Sequence, residues 1–319
     1  MAKKQKNSKP LVIIYNPASG KGRGAECARL FAEQAQKELG AEVRLRPTSS
    51  LPDLLDAAQS LKPAKEIGVF IGGDGTLCQC LQGMFLNSQF AKIKQPVGIL
   101  PGGTGNSFHR EFGIETFEEA SDLLIEAIRN NERISVDAGI LEYENRSGRQ
   151  KQVFVNLWAV GIIPLITKLG TKMRFLGHFN YILATLVLLL RHRPFQGKVE
   201  IDKKKKKLHY NFLAICNSRY TAKSMKMAPQ ARVNDGHLEM VFSNPPSRFS
   251  LLKLFPKIFS GTHIEHERVY NQTIKSFKLL SDKEYTFMYD GELGTGYNLQ
   301  MKVMPGLWQL YMPRRVVPV

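Results

Sequence analysis

Cysteine is scarce in this chain, and no apolar run is long enough to cross a membrane. The 319 residues include four cysteines, Cys27, Cys78, Cys80 and Cys216, and no two of them form a CxxC pair. The longest apolar run, 179–190, has about 12 residues, whereas a membrane span needs about 20. The basic N-terminal segment lacks the apolar core of a secretory signal. Together these absences argue against a disulfide scaffold and favour a reduced, cytoplasmic compartment.

Acidic residues are few relative to basic ones. There are 28 aspartates and glutamates against 45 lysines and arginines, which gives a formal net charge of +17. Such a charge favours anionic partners, namely nucleic acid, an anionic membrane or an anionic small molecule, and it carries no information about the fold. The composition, 43% hydrophobic and 23% charged, is ordinary for a globular protein, and the length suggests two domains or one large one.

The first 136 residues alternate between strand-like and helix-like segments. Strands are predicted at 11–15, 41–47, 67–71 and 97–100, and helices at 25–39, 51–61, 76–86 and 117–131. Continuous apolar runs such as LVIIY (11–15) are typical of strands buried on both faces. The alternation therefore predicts a parallel, doubly wound α/β sheet, whose ligands bind at the C-terminal ends of the strands.

Beyond residue 136 the chain is rich in strands. Strand-like segments include 152–160, 208–217, 262–269, 285–290, 299–304 and 307–311, and helices are predicted at 177–192 and 250–259. This pattern predicts a second domain, a β-sandwich or flattened barrel. In a strand at 262–269, His263 and His266 would point to opposite faces, so a zinc pair is not expected there.

Three glycine-containing loops follow three of the four strands of the first domain. We call them the first loop (NPASGKG, 16–22), the second loop (GGDGT, 72–76) and the third loop (PGGTGN, 101–106). Glycines let backbone N–H groups approach an anion, and helix N-termini, expected here at Thr76 and Asn106, attract phosphate. The set predicts a nucleotide site, although no Walker motif is present and 20–25 is a poor dinucleotide fingerprint.

Asp74 is the one carboxylate in the second loop. A carboxylate repels phosphate, so its presence is explained if it holds Mg²⁺, which bridges carboxylate and phosphate oxygens. Lys21 and Arg23 could neutralise part of a polyphosphate charge. The alternative for Asp74 is a helix N-cap or turn residue, and the alternative for the two basic residues is a solvated loop.

The three loops, in this order, resemble those of the diacylglycerol kinase catalytic-domain superfamily. Further similar blocks are 181–195, 227–240 and YDGE (289–292), so the resemblance covers nearly the whole chain. It implies an ATP-dependent lipid kinase with an α/β domain (1–136, completed by 306–319), a β-sandwich lipid-substrate domain (137–305) and ATP in the cleft between them. The residues that it implies for ATP are Asn16, Pro17, Ala18, Ser19, Gly20, Thr48, Gly72, Gly73, Asp74, Gly75, Thr76, Leu77 and Thr104.

The same resemblance assigns chemical roles. Asp74 would organise Mg²⁺, and Glu292 would be the general base that takes the proton of the lipid hydroxyl, although some members give that role to the aspartate of the second loop. A second metal site would use the side chain of Asp235 and the backbone carbonyls of Arg232 and His237; an Asn-Asp-Gly hairpin turn explains these residues equally well. Ser107 stands where some bacterial members carry an aspartate.

Three functions remain open at the level of sequence. The main interpretation is a lipid kinase acting on diacylglycerol, a sphingoid base or a related lipid alcohol. The alternatives are an NAD kinase, which shares the GGDG motif, and a non-catalytic lipid- or nucleic-acid-binding relative. For the kinase we expect a lipid substrate presented by an anionic membrane, no nucleic acid, and peripheral association helped by basic segments such as 203–207; a homodimer is left open.

Overall fold

The computed structural model describes residues 9–62, 65–172, 183–185, 187–188, 194–244, 248–280 and 283–316. The chain divides into two compact units. Unit 1 comprises the residues up to Val136 together with those from Gly306 onward, and unit 2 comprises Asp137–Pro305. Most of the predicted helix 177–192 lies outside the described residues. None of the helices in the described ranges is both long and apolar enough to span a bilayer.

Unit 1 is built on a parallel sheet with the order β2-β1-β3-β4-β17. Its strands are β1 (Leu11–Tyr15), β2 (Val43–Pro47), β3 (Ile67–Gly72), β4 (Pro96–Pro101) and the end of β17 (Glu292–Tyr311). Its helices are α1 (Ser19–Gly22, a single turn), α2 (Gly24–Leu39), α3 (Leu51–Gln59), α4 (Asp74–Asn87) and α5 (Phe117–Asn130), with a 3₁₀ helix at Phe108–Phe112. Strands β1 and β3 are buried along their whole length, as expected for strands covered on both faces.

Local sequence signals explain where several helices of unit 1 begin and end. Ser50 accepts a hydrogen bond from the backbone N–H of Asp53, and Thr116 accepts one from that of Glu119, so each hydroxyl caps a helix N-terminus. Helix α2 ends at Gly40, whose φ of 62° is the left-handed conformation that glycine adopts without strain.

Unit 2 is a β-sandwich of two sheets. One sheet has the order β14-β13-β10-β7-β16-β17, and in the other β9 pairs with β8, β8 with β15, β15 with β17, β17 with β5, and β5 with β6. The strands are β5 (Arg133–Asn145), β6 (Gly148–Phe154), β7 (Leu157–Gly161), β8 (Phe195–Ile201), β9 (Lys204–Tyr210), β10 (Phe212–Cys216), β13 (Leu238–Ser243), β14 (Val269–Ile274), β15 (Ser276–Leu280) and β16 (Tyr285–Tyr289); β11 (Tyr220–Thr221) and β12 (Met225–Lys226) form a separate ribbon.

Two core clusters lie on opposite faces of the first sheet of unit 2. Alternate residues of β10 divide between them: Leu213 and Ile215 join the cluster shared with the other sheet, whereas Ala214 and Cys216 join the second cluster. The second cluster also takes side chains from α6 (Ile162–Lys172) and α7 (Arg248–Ser260). The predicted α/β domain and β-sandwich are thus both confirmed.

Five predicted strands of unit 2 are wrong in detail, among them 208–217, which is divided between β9 and β10 at Asn211. Segment 152–160 is two strands, because the chain bends at Val155–Asn156, where backbone amides bind Asp290. The first half of segment 262–269 is a 3₁₀ helix, Thr262–Glu265, in which His263 is buried and its ring contacts the carbonyl of Met227. The separate strands 299–304 and 307–311 are one continuous strand, β17.

Candidate nucleotide and phosphoryl-transfer site

The first loop folds back on itself immediately after β1. The Asn16 side chain accepts a hydrogen bond from the N–H of Ala18, and both the N–H and the hydroxyl of Ser19 donate to the Asn16 carbonyl. Gly20 has a φ of +60°, and a Cβ added there would lie 2.5 Å from the carbonyl oxygen of Gly102. Only glycine therefore allows the first loop to lie this close to the third.

The second and third loops also meet backbone to backbone. The N–H of Gly102 donates to the carbonyl of Gly72, and a Cβ on Gly103 would lie 2.4 Å from the Cα of Gly73. The Asn106 side chain closes the third loop, since it accepts from the N–H of Gly103 and donates to its carbonyl. The structure thus brings the three predicted loops together at the C-terminal edge of the sheet, where parallel sheets bind ligands.

Asp74 is held by the segment that follows the third loop. It is the first residue of α4, and its two carboxylate oxygens accept the backbone N–H groups of Ser107 (3.0 Å) and Phe108 (2.9 Å). These bonds orient the carboxylate, and they offset the free-energy cost of placing it in a half-buried position. Each oxygen retains lone-pair capacity beyond these bonds, so the group remains chemically able to contact a divalent cation.

A cleft of about 290 Å³ opens beside the first and third loops. Its lining includes Gly20, Arg23, Gly103, Asn106 and Glu115. This volume is close to the lower end of the range for small-molecule sites, roughly 300–1,000 Å³. The half-buried backbone of Gly20 and Gly103 and the side chain of Arg23 suit a phosphate, whereas the carboxylates Glu115 and Glu118 of the same lining would repel one.

His109 is a buried group of this site that the sequence did not suggest. Its ring is 5% exposed and lines a small cavity of about 10 Å³ together with Asp74 and Thr76. Burial lowers the pKa of His109 to about 4, although the Asp74 carboxylate and a hydrogen bond to the backbone of Ile99 act in the opposite direction. Its Nε2 atom has no hydrogen-bond partner among the described residues. The imidazole beside Asp74 is therefore neutral near neutral pH.

The other residues predicted for ATP divide into exposed and internal ones. Thr104 is exposed in the third loop, whereas Leu77 is buried in the core of unit 1. Thr48 is also buried, and its N–H and hydroxyl both bind the carbonyl of Tyr15, so it fixes the ends of β1 and β2. Thr76 does not start a helix as expected, because α4 already begins at Asp74; its side chain lies against Gly72.

Glu292 follows a tight turn in unit 2. Asp290 and Gly291 have φ values of 44° and 93°, and Glu292 is the first residue of β17. The carboxylate of Asp290 accepts the N–H groups of Val155, Asn156 and Leu157 at 2.7, 2.8 and 3.0 Å. Asp290 therefore anchors the turn that presents Glu292, whose half-buried carboxylate binds no other group within the described part of the chain.

The predicted second metal site forms a turn in unit 2. Asp235 accepts the N–H of His237 at 3.0 Å, and the N–H of Gly236 donates to the buried Asp137. No cluster of three or more His, Cys, Asp or Glu side chains suited to a metal occurs in the ranges that the structure covers. The predicted site takes two of its ligands from the backbone carbonyls of Arg232 and His237, which are not such side chains, so it stays a prediction.

Two family models match the chain. The diacylglycerol kinase catalytic domain matches residues 10–141, and the YegS C-terminal NAD kinase beta sandwich-like domain matches residues 159–312. The chain belongs to the diacylglycerol kinase catalytic-domain superfamily. It is therefore a lipid kinase, and the three loops with Asp74 lie in the part that matches the catalytic domain.

Curated relatives and solved structures agree with this membership. A diacylglycerol kinase of Mycobacterium tuberculosis is 29% identical to this lipid kinase over 310 residues, 95% of each chain. One of Staphylococcus carnosus is 27% identical over 290 residues, 88% of each chain. The crystal structure of a diacylglycerol kinase from Bacillus anthracis covers 98% of this chain and 100% of its own, with a TM-score of 0.76 at 20% identity, which shows the shared fold.

Sequence reasoning missed the groups that hold the acidic residues of this lipid kinase. The block YDGE was interpreted only for Glu292, although Asp290 in the same block is the buried carboxylate with three amide donors. Its position before a glycine was the available signal, since a DG pair often forms a two-residue hairpin turn. The Asn217 side chain, which donates to the carbonyls of Asp137 and Val155, carried no sequence signal at all.

Proposed function

We propose that this kinase transfers the γ-phosphoryl group of ATP to the hydroxyl of a membrane lipid. The observation that carries the proposal is the convergence of three glycine loops around Asp74, whose carboxylate is fixed by the amides of Ser107 and Phe108. Phosphoryl transfer depends mainly on positioning and charge stabilisation, and a rigid site of backbone amides meets that need.

Asp74 is the residue that we assign to magnesium. Its carboxylate is oriented by two amides and keeps acceptor capacity on both oxygens. When bound, Mg²⁺ supplies the positive charge that neutralises phosphate oxygens. The amides of the first and third loops and Arg23 would meet the remaining phosphate charge.

Glu292 is the residue that we assign as general base. A base needs a carboxylate that is held in position and not neutralised by a cation, and Glu292 has no ion pair within the described residues, while Asp290 anchors its turn. The carboxylate would orient the acceptor hydroxyl and take its proton as the phosphoryl group arrives.

The acceptor that we place first is diacylglycerol, because the named relatives are diacylglycerol kinases. A sphingoid base or another lipid alcohol presents the same hydroxyl chemistry. The net charge of +17 supports an anionic membrane as the surface that presents this substrate.

The proposal is tested with purified protein, Mg²⁺ and labelled ATP. The acceptor panel contains diacylglycerol, sphingosine, ceramide, phosphatidylglycerol and NAD. We expect label in one lipid class, lost when Mg²⁺ is chelated. Label in NAD alone would overturn the proposal, and so would the absence of transfer to every acceptor.

Asp74→Asn tests the role of the carboxylate. We expect kcat to fall by about 10²- to 10⁴-fold, the range for loss of a charged group that acts in the transition state. Asp202→Asn is the matched control, because Asp202 also accepts two backbone amides, those of Lys275 and Ser276, and lies in unit 2. Equal losses of kcat in both variants would mean that Asp74 is only structural.

A further inference from the structure

Helix α7 of unit 2 carries apolar side chains on two of its sides. Leu251 and Leu254 are buried in the second core cluster, as expected for residues three apart on a helix. Leu252 and Phe259 lie on another side and are 38% and 42% exposed. The Phe255 ring meets that of Phe259 edge-on, with centroids 6.0 Å apart. Residues 252, 255 and 259 thus form one outward stripe, which we call the outer stripe.

The charges of α7 are all positive. Residues 248–260 contain no aspartate or glutamate, and the exposed Lys253 and Lys257, four residues apart, share the side next to the outer stripe. Two further exposed apolar residues, Leu183 and Val187, come from a segment whose Leu188 packs against the same core cluster. Unit 2 therefore exposes apolar side chains on a second segment that packs against the same core cluster as α7.

We infer that α7 docks this kinase onto an anionic bilayer, with the outer stripe among the lipid headgroups and Lys253 and Lys257 on their phosphates. Helices that lie in the membrane interface combine phenylalanine and leucine on one side with lysine beside them. This inference rests on the proposed function for its purpose, because a kinase of membrane lipids has to reach their headgroups.

Charge favours a bilayer over a second copy of the chain as the partner of this surface. If two copies paired through α7, four lysines would approach one another with no acidic residue in either helix to offset them. An anionic bilayer supplies the opposite charge, and each lysine near such a surface contributes attraction that salt weakens.

The test measures partition of the full-length protein onto vesicles of phosphatidylcholine with and without phosphatidylglycerol. For Leu252→Ser/Phe259→Ser we expect partition onto anionic vesicles to fall by about tenfold, since two side chains no longer leave water. Leu45→Ser/Phe90→Ser in unit 1 is the matched control. Leu45 and Phe90 are 46% and 40% exposed, and Phe90 also meets a second ring, that of Phe85, edge-on. The control should keep wild-type partition.

The lysines are tested separately. Lys253→Gln/Lys257→Gln should lower partition by about tenfold on the anionic vesicles and leave the phosphatidylcholine vesicles unaffected. Lys37→Gln/Lys92→Gln, which removes two exposed lysines of unit 1, should have little effect. Circular dichroism on heating checks that each variant is folded.

Activity separates this inference from the proposed function. The outer-stripe variant should lose turnover on vesicle-embedded diacylglycerol and keep it on a short-chain diacylglycerol dispersed in water. If wild-type protein phosphorylates no lipid yet binds vesicles through the outer stripe, the proposed function fails and the inference stands. The inference would be overturned if the folded outer-stripe variant partitioned onto vesicles as the wild type does. It would also be overturned if the wild type were a dimer that this variant converts to monomers without any change in partition.

Discussion

Two aspartates of this lipid kinase, one in each unit, show how a single carboxylate can order a loop. Asp74 accepts two backbone amides and Asp290 accepts three. Both precede a glycine, and both are fixed by chain segments distant in sequence, 33 residues away for Ser107 and 135 for Val155. The sequence predicted Asp74 as functional because of its glycine loop. It could not predict the amides that hold either residue, because those contacts exist only in the folded chain.

His109 carries a prediction about acid stability. In the folded protein the pKa of His109 is about 4, whereas the ordinary pKa of a histidine is 6.5. Between these two pH values the unfolded chain therefore binds a proton that the folded chain does not. Its contribution to stability is therefore complete above pH 6.5 and is lost as the pH falls towards 4. The full loss in the free energy of unfolding between pH 6.5 and pH 4 is about 3 kcal/mol.

The measurement is urea unfolding at a series of pH values for the wild type and His109→Gln. The variant should show a shallower decline in the free energy of unfolding between pH 6.5 and 4. His209→Gln is the control, since His209 is exposed in unit 2 and meets water in both states. Parallel curves for the wild type and His109→Gln would contradict the prediction.

At the scale of elements, the three loops depend on glycine where backbone meets backbone. In Gly103→Ala the new Cβ would lie 2.4 Å from the Cα and 2.7 Å from the nitrogen of Gly73, so the second and third loops must separate. We expect a stability loss of about 1–3 kcal/mol and ATP binding weakened by about tenfold. Calorimetric titration of ATP and urea unfolding measure the two effects.

Gly40→Ala distinguishes a clash from backbone strain. Gly40 has a φ of +62°, but an added Cβ would meet no atom within 4 Å. This variant should lose about 1–2 kcal/mol of stability through strain alone and bind ATP as the wild type does. If Gly103→Ala also bound ATP normally, the contact between the two loops would not matter for the nucleotide.

Prediction from sequence was better for the elements of unit 1 than for those of unit 2. Runs such as 11–15 and 67–71 are strands because they are buried on both faces, and their hydrophobicity alone reveals this. In unit 2, the break at Val155–Asn156 is imposed by Asp290, and β17 continues through Pro305 and Gly306, residues that usually end strands. Both features depend on partners far away in sequence, which a local pattern does not contain.

At the scale of the whole molecule, unit 1 depends on the last part of the chain. Trp308 is fully buried in unit 1, 5.7 Å from the ring of Phe108, and its strand pairs with β4 through Gln309 and Leu310. Trp308→Ala should cost about 3–5 kcal/mol, a large part of the roughly 5–15 kcal/mol that stabilises a typical domain.

Hydrogen exchange can show which unit the Trp308→Ala variant weakens. Amides of β1, β3 and β4 should lose protection, and ATP binding should weaken with them. Trp158→Ala is the control of equal size, since Trp158 is fully buried in unit 2, where protection should fall instead. Protection lost evenly throughout the chain in both variants would mean that the two units do not unfold separately.

The return of β17 to unit 1 has a consequence for synthesis on the ribosome. Residues 137–305 are complete before Trp308 is made, whereas the sheet of unit 1 lacks its fifth strand until residues 306–311 have been made. We expect the sandwich of unit 2 to fold first on the nascent chain and unit 1 to fold after it. Proteolysis of stalled chains ending at Pro305 should yield a resistant sandwich and a sensitive N-terminal part; equal resistance of both would contradict this order.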